Sequence, residues 1–164
     1  MAFEKIFTCV VEGRERNLWY RAMPLGAEWE DPPLGGEPYA LLFVIAADDI
    51  TVEDMGAIGE KIIRSGCRYV ITAGNQAEKL HDVIDEAVAY LSVLAKEANE
   101  SEPADLMTTW ANGELSNDAL FDLIFTTDYD DLKFVHYAIV VYGGKDESKA
   151  RIISMIKQVV SEYL

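Results

Sequence analysis

The amino-acid sequence predicts an α/β fold, a three-layer sandwich in which helices cover both faces of a mainly parallel sheet. Two observations support this prediction. First, short apolar runs alternate along the chain with longer segments whose apolar residues recur with helical periodicity, as in strands joined through helices. Second, the two strongest runs, residues 39–47 and 133–142, are almost entirely apolar, as expected for strands buried on both faces.

The first strand–helix unit begins with the strand at residues 39–47. Thr51 has the position of an N-cap residue for the following helix. The apolar side chains of that helix lie on one face, and they are Met55, Ile58, Ile62 and Ile63. Gly66 is expected to end the helix, and residues 68–73 form the next strand.

The second and third units follow directly. Residues 76–98 keep an unbroken helical stripe, which consists of Leu80, Val83, Ile84, Ala87, Val88, Leu91 and Leu94. A polar loop at 99–103 leads to a weaker strand at 104–110. Ser116 is then placed to cap a short helix with Leu120, Phe121, Leu123 and Ile124 on its apolar side.

The fourth unit closes the chain. Its strand, 133–142, ends at Gly143–Gly144, and Asp146 is expected to cap the last helix. The stripe of this helix is Ile152, Met155, Ile156, Val159, Val160 and Tyr163. Residues 39–164 therefore predict four strand–helix units of the Rossmann-like kind, joined by right-handed crossovers.

The first 38 residues fit this repeat less well, although the chain still forms one domain over residues 1–164. Residues 6–11 and 18–23 have strand character, and they predict either a hairpin or an edge strand with an extension. Residues 24–38 hold four of the five prolines and form an ordered or mobile loop.

Composition excludes several classes of function. The 164 residues carry 29 acidic and 14 basic side chains, a net charge of −15, which argues against nucleic-acid binding through a basic face. The apolar runs are too short to span a bilayer, and no export signal is visible at the N-terminus, so no membrane association is expected. Two cysteines are too few for a disulfide framework, and we expect a cytoplasmic protein.

Ligands of open parallel sheets bind in the crevice outside the carboxyl ends of the strands. The chain delivers eight candidate cofactor- or ligand-binding residues to that edge, namely Asp48, Asp49, Gly74, Asn75, Thr109, Trp110, Gly143 and Gly144. Asp48 and Asp49 are either an ordinary turn before a helix or ligands for Mg²⁺. Trp110 either closes a pocket or covers the sheet edge, and Asn75 stands either at a simple helix entry or at an anion site.

No catalytic motif emerges from the sequence. Gly143–Gly144–Lys145 lacks the first glycine of a phosphate loop, because Ile139 holds that place, and Asp146 replaces the hydroxyl residue. The chain has no GxSxG elbow and no zinc-type spacing of cysteine and histidine. We therefore assign no metal and no catalytic residue, although a pocket joining His136 or Cys67 to acids would indicate an enzyme.

Residues 97–131, the acidic segment, form the strongest electrostatic feature. No lysine or arginine occurs between Lys96 and Lys133, whereas ten acids do. They are Glu97, Glu100, Glu102, Asp105, Glu114, Asp118, Asp122, Asp128, Asp130 and Asp131. The segment is either a solvated face or a docking surface for a basic protein partner.

From Tyr39 onward the chain resembles a family of uncharacterised bacterial proteins of similar length. The resemblance rests on Thr108–Thr109–Trp110, then Glu114, then Asp118–Ala119–Leu120 opening a short helix, before a buried strand and a final helix. Ala111 stands where the family has an acid or a histidine behind the tryptophan. The resemblance implies a small cytosolic α/β protein, with no activity to carry over.

These observations leave three classes of function. The first is a small, acidic, non-catalytic binding or protein-interaction domain. The second is a small-molecule or nucleotide binder that uses the crevice, with Mg²⁺ on Asp48 and Asp49. The third is an enzyme of unidentified reaction. The sequence is also compatible with a homodimer, formed through an edge strand or through the apolar loop around Trp29.

Overall fold

The fold is that of a computed structural model, which describes residues 2–129, 131–144 and 149–163. Within those ranges a six-stranded sheet is covered by four helices. The strands are β1 Glu4–Val11, β2 Arg14–Met23, β3 Tyr39–Ile45, β4 Cys67–Gly74, β5 Met107–Trp110 and β6 His136–Tyr142. The helices are α1 Val52–Arg64, α2 Ala77–Glu97, α3 Asn117–Phe125 and α4 Lys149–Tyr163. The α/β class that the sequence predicts is confirmed.

The order of the strands is β1-β2-β6-β3-β4-β5. In the described part of the chain, the neighbours β2-β6, β6-β3, β3-β4 and β4-β5 pair in parallel, and only β1 and β2 pair antiparallel. The N-terminal segment is thus a hairpin, and its two-residue turn has positive φ angles at Glu12 (53°) and Gly13 (74°). Two left-handed residues are what the tightest hairpin turn requires. The hairpin joins the parallel sheet because β2 lies beside β6.

Alternation along the strands divides the core into two apolar layers. Leu41 and Phe43 of β3 point to the face that α1 and α2 cover. Leu42 and Val44 point to the opposite face, which α3 and α4 cover. Because both faces are shielded from water, all seven residues of β3 are buried, which explains the continuous apolar run in the sequence.

Helix boundaries follow from local capping. The Thr51 hydroxyl accepts a hydrogen bond from the Asp54 backbone N–H (3.1 Å), and the Ser116 hydroxyl accepts one from Ala119 (3.1 Å). Both residues occupy the N-cap, as predicted, and each satisfies a backbone donor that the first helical turn leaves free. The predicted cap at Asp146 lies outside the described residues.

Three strands are shorter than the sequence pattern predicts. β3 ends at Ile45 because the chain bends there, and the N–H groups of Ala46 and Ala47 both donate to the Tyr142 carbonyl (2.9 and 3.1 Å). β5 begins at Met107 rather than 104. β6 begins at His136 because the preceding Phe134 N–H donates to Asp128 (3.2 Å) instead of a strand neighbour.

The proline-rich segment at 24–38 packs onto the sheet as an ordered cover. Trp29 is 5% exposed, and its ring lies 5.7 Å from that of Phe3 and 6.4 Å from that of Phe43, between ring centroids. The Trp29 side chain is therefore part of this chain's own core. A homodimer through the loop around Trp29, or through an edge strand, stays a prediction. No helix in the described ranges has the length and apolarity needed to cross a bilayer.

Candidate functional site

A crevice opens at the carboxyl edge of the sheet, where β3 and β6 lie side by side. After β3 the chain continues into α1 on one face, and α4, which comes after β6, packs on the other face. Such a divergence leaves a gap between the two exits, and ligands of open α/β sheets bind in gaps of this kind. The cavity measures about 260 Å³, and its lining is Val44, Ile45, Ala46, Gly74, Asn75, Gly113, Glu114, Leu115, Val141 and Gly144.

Three loops are tied together below the crevice by backbone hydrogen bonds. The Gly74 N–H donates to Gly113 (2.7 Å), and the Asn75 N–H donates to Ile45 (2.9 Å). The Asn75 side-chain amide adds a bond to the carbonyl of Ala47 (2.9 Å). These bonds fix the ends of β3, β4 and β5 relative to one another, so the loops at the base of the crevice hold each other in place.

Gly74 is required by close backbone packing at this point. Its φ angle is +84°, and a Cβ atom here would stand 2.2 Å from the carbonyl oxygen of Ile45. Any side chain would therefore push the ends of β3 and β4 apart. The same contact brings Asn75 against the loop after β3.

Gly144 keeps the side of the crevice open. A Cβ atom at this position would meet the Cβ of Ala46 at 2.6 Å, on the wall that Val141 continues. Gly143, by contrast, is not part of the lining. Its N–H donates to the Met23 carbonyl (2.8 Å), and its Cα faces Ala47.

The side-chain chemistry of the crevice is that of hydrogen-bond acceptors. Glu114 contributes an exposed carboxylate, and Asn75 contributes an amide group whose nitrogen already donates one hydrogen bond to Ala47, while its oxygen can accept one. Among the described residues, no lysine, arginine or histidine lines the cavity. Acceptors of this kind suit hydroxyl or amino groups of a ligand, whereas phosphate groups would be repelled.

The aspartates predicted for this site lie outside it. Asp48 and Asp49 are both exposed and do not line the cavity, and one Asp49 oxygen accepts a hydrogen bond from the Gln76 side chain (3.1 Å). The described residues contain no group of three or more acids, histidines or cysteines arranged to hold a metal ion. Around Asp48 and Asp49, the described part of the chain thus places no third acid, histidine or cysteine for a metal ion.

Thr109 and Trp110 also lie away from the crevice, on the edge strand β5. Thr108 hydrogen-bonds Asp85 of α2, and Trp110 points to that same side because side chains alternate along a strand. The indole is 42% exposed and does not line the cavity. Of the eight predicted residues, the structure thus brings Gly74, Asn75 and Gly144 together in the cavity lining, and it leaves the two aspartates, Thr109, Trp110 and Gly143 outside that lining.

The crevice residues that the prediction missed belong to the loop after β5. Gly113, Glu114 and Leu115 line the cavity, and Gly113 turns the chain into it with a φ angle of +88°. The Asn112–Gly113 turn was the available signal, because it marks where the chain reverses at the carboxyl edge. The residues just beyond such a turn lie over the same edge as the strand ends.

His136 and Cys67, the candidate base and the candidate nucleophile, lie outside the crevice. His136, at the opposite edge of the sheet, accepts at Nδ1 from the Trp19 indole (3.3 Å), and its Nε2 lies 2.7 Å from Glu37. Cys67 is buried, and burial raises the pKa of its thiol well above the usual value. Among the described residues, no carboxylate lines the cavity beside Cys67. His136 thus pairs with an acid outside the crevice, and Cys67 shares its cavity with no described acid.

One family model matches most of the chain. Residues 20–159 match the model described as Domain of unknown function (DUF7684). The match includes every strand from β3 to β6 and all ten lining residues of the crevice. Neither the curated proteins nor the solved structures that were compared with the chain include a match.

Proposed function

Because the chain belongs to the DUF7684 family, whose function is unknown, we propose a function from the geometry of the crevice: a non-catalytic binding domain for a small polar molecule. The observation that carries the proposal is the meeting of three loops around a cavity of about 260 Å³, at the point where the helices that come after β3 and β6 lie on opposite faces of the sheet. We further infer a Rossmann-like core from the order β5-β4-β3-β6, which matches four neighbouring strands of the doubly wound sheet.

The chemistry of the lining selects the class of ligand. Glu114 and the Asn75 amide oxygen accept hydrogen bonds, so the ligand presents hydroxyl or amino groups. The net charge of −15 and the absence of a cation among the described lining residues disfavour an anion. Nucleosides, polyols and small amines meet these conditions, and the volume admits a molecule near the lower end of the usual ligand size.

Nucleotides with Mg²⁺ remain the alternative within the same class of function. Asp48 and Asp49 would then hold the ion, and the ion would offset the negative charge of the phosphates. Titration calorimetry with Mg²⁺ and nucleotide on the native chain and on Asp48→Asn tests this alternative. Equal heat from both proteins would exclude the aspartates as ligands.

A thermal-shift experiment tests the main proposal. Nucleosides, polyols, amines and nucleotides are added to the purified chain, and the unfolding temperature is recorded. A ligand at 100 times its dissociation constant adds about 2.7 kcal/mol to stability, which corresponds to a rise of about 5–10 °C for a domain of this size. No rise with any class would contradict the proposal.

A matched pair of variants assigns any rise to the crevice. Glu114→Gln removes the lining carboxylate and should abolish most of the shift. Glu100→Gln removes the same charge from an exposed position outside the lining, and it should leave the shift intact. Equal loss in both variants would mean that the ligand responds to overall charge and not to this site.

A second candidate function is docking of a basic protein partner on the acidic segment. Of its nine described acids, Glu102 pairs with Lys96 (3.5 Å) and Asp128 with Arg14 (2.6 Å), whereas no ion pair is formed by the other seven within the described ranges. Such a field would speed association with a cationic partner. Charge reversal at Asp118 and Asp122 should then abolish capture of the partner while the fold survives.

We also propose a cytoplasmic location. Cys9 and Cys67 are both free, and free cysteines are typical of a reducing compartment. Separating cytoplasm from other fractions of the source cell, with an antibody against the chain, tests this location.

A further inference from the structure

A groove runs between α3 and α4 on the face of the sheet opposite α1. It encloses about 290 Å³, and its lining is Asn117, Asp118, Phe121, Val159, Glu162 and Tyr163. We call it the α3–α4 groove. It is separate from the crevice, with which it shares no lining residue.

Aromatic rings form an exposed platform in this groove. Phe121 and Tyr163 are 38% and 42% exposed, although both are large apolar side chains on helices that have a buried face available. Their rings meet at 6.2 Å, and Phe125 lies between them, 5.2 Å from Phe121 and stacked on Tyr163 at 4.0 Å. A contiguous exposed aromatic group of this kind is typical of a binding surface.

Carboxylates surround the platform. Asp118 and Glu162 line the groove directly, and the Tyr163 hydroxyl donates a hydrogen bond to Glu12 (2.7 Å). Asp122, one turn after Asp118 on α3, has a pKa raised by partial burial and by the charge of Asp118. These two acids therefore repel each other, and a cation placed between them would relieve that repulsion.

One cation beside the aromatic rings is buried in the core. Arg16 is 3% exposed, its guanidinium lies 5.3 Å from the Phe125 ring centre, and it donates to the carbonyl of Ile124 at the end of α3. Arg16 thus occupies the inner side of the aromatic group. The outer side, formed by Phe121 and Tyr163, faces solvent with acids at its rim.

We propose that the α3–α4 groove binds an arginine side chain of a basic peptide segment, a proposal that rests on the second candidate function above. The guanidinium would lie over the exposed rings and pair with Asp118 and Glu162. Arginine suits this surface because its planar cation stacks on aromatic faces and bonds carboxylates in pairs. The complementary charge favours a basic segment over a second copy of this acidic chain.

The test uses a fluorophore-labelled glycine–serine peptide with three arginines, and its binding to the full chain is followed by fluorescence anisotropy. A matched peptide carries norleucine in place of each arginine. Binding of the arginine peptide at low salt, weakened as salt rises, is the expected result. Equal binding of the norleucine peptide would overturn the proposal, because the groove would then recognise only apolar surface.

Two double variants, each of which removes two negative charges, and one variant that removes an aromatic ring locate the site. Asp118→Asn with Glu162→Gln should weaken binding at least tenfold, and so should Phe121→Leu, which keeps an apolar residue but removes the ring. The control, Glu97→Gln with Glu100→Gln, removes two charges from the acidic segment outside the groove and should change binding less than twofold. Circular dichroism verifies that each variant is folded.

The remaining outcomes separate the groove from the broader function. Equal loss in the groove and control variants would overturn the groove while leaving the acidic segment as a docking surface. No binding of the arginine peptide by the native chain would overturn both. A concentration-dependent dimer that Phe121→Leu disrupts would assign the groove to a second copy, which also overturns the proposal.

Discussion

Replacing Gly74 by alanine should destabilise the protein strongly, because the added methyl group is unfavourable both for the backbone conformation and for the packing. The φ angle of +84° is left-handed, which costs an alanine about 1–2 kcal/mol. The new Cβ would also stand 2.2 Å from the Ile45 carbonyl oxygen, and backbone atoms cannot rotate away as a side chain can. Forced overpacking of this kind costs about 1–3 kcal/mol.

The two costs together predict a loss of about 2–5 kcal/mol in the free energy of unfolding. Urea denaturation measures this loss, and the unfolding temperature should fall by about 4–20 °C. Gly13→Ala is the matched control, because Gly13 also has a positive φ (+74°) but nothing within 4 Å of its Cβ position. That variant should lose only the conformational cost.

The difference between the two variants thus measures the close approach of β3 and β4 beneath the crevice. If Gly74→Ala costs no more than Gly13→Ala, the contact with Ile45 does not constrain the site. The conclusion that close packing of β3 on β4 holds the base of the crevice in place would then be refuted.

Three further outcomes follow from local contacts. Ser116→Ala removes the cap of α3, and the free energy of unfolding, measured by urea denaturation, should fall by about 1 kcal/mol. Ser116→Asp should retain most of the stability, because aspartate also caps helices. Equal losses in the two variants would contradict the capping role. Cys67 should resist a thiol reagent such as dithionitrobenzoate in the native protein and react only after unfolding, because it is 2% exposed and its pKa is raised. Mass spectrometry locates the modified cysteine, with Cys9→Ser as the control. Rapid modification of Cys67 in the native protein would contradict its burial. Burial raises the pKa of Tyr137 to about 12, so the folded state holds this proton more tightly than the unfolded state, and stability should decline as pH rises above about 10. Tyr137→Phe should reduce that decline, as followed by urea denaturation at several pH values, and an unchanged slope would show that Tyr137 does not contribute.

Local sequence signals were sufficient for most of the secondary structure. The stripe from Leu80 to Leu94 predicts α2 because the period of a helix is a property of the backbone alone. Thr51 and Ser116 predict helix starts because a cap needs only a hydroxyl three residues before a free N–H group. Where strand ends depend on distant partners, as for Ala46 with Tyr142, the pattern predicted strands that are too long.

The sequence by itself determined the α/β class, the helices, the buried character of β3 and β6, and the presence of Gly74, Asn75 and Gly144 at the carboxyl edge. Only the tertiary structure decided that β6 lies between β2 and β3, and therefore where the crevice opens. It also brought Glu114 into the crevice and left Asp48, Asp49 and Trp110 outside. The physical reason is that strand order and the direction of each loop arise from contacts between segments far apart in the chain, which local periodicity does not encode.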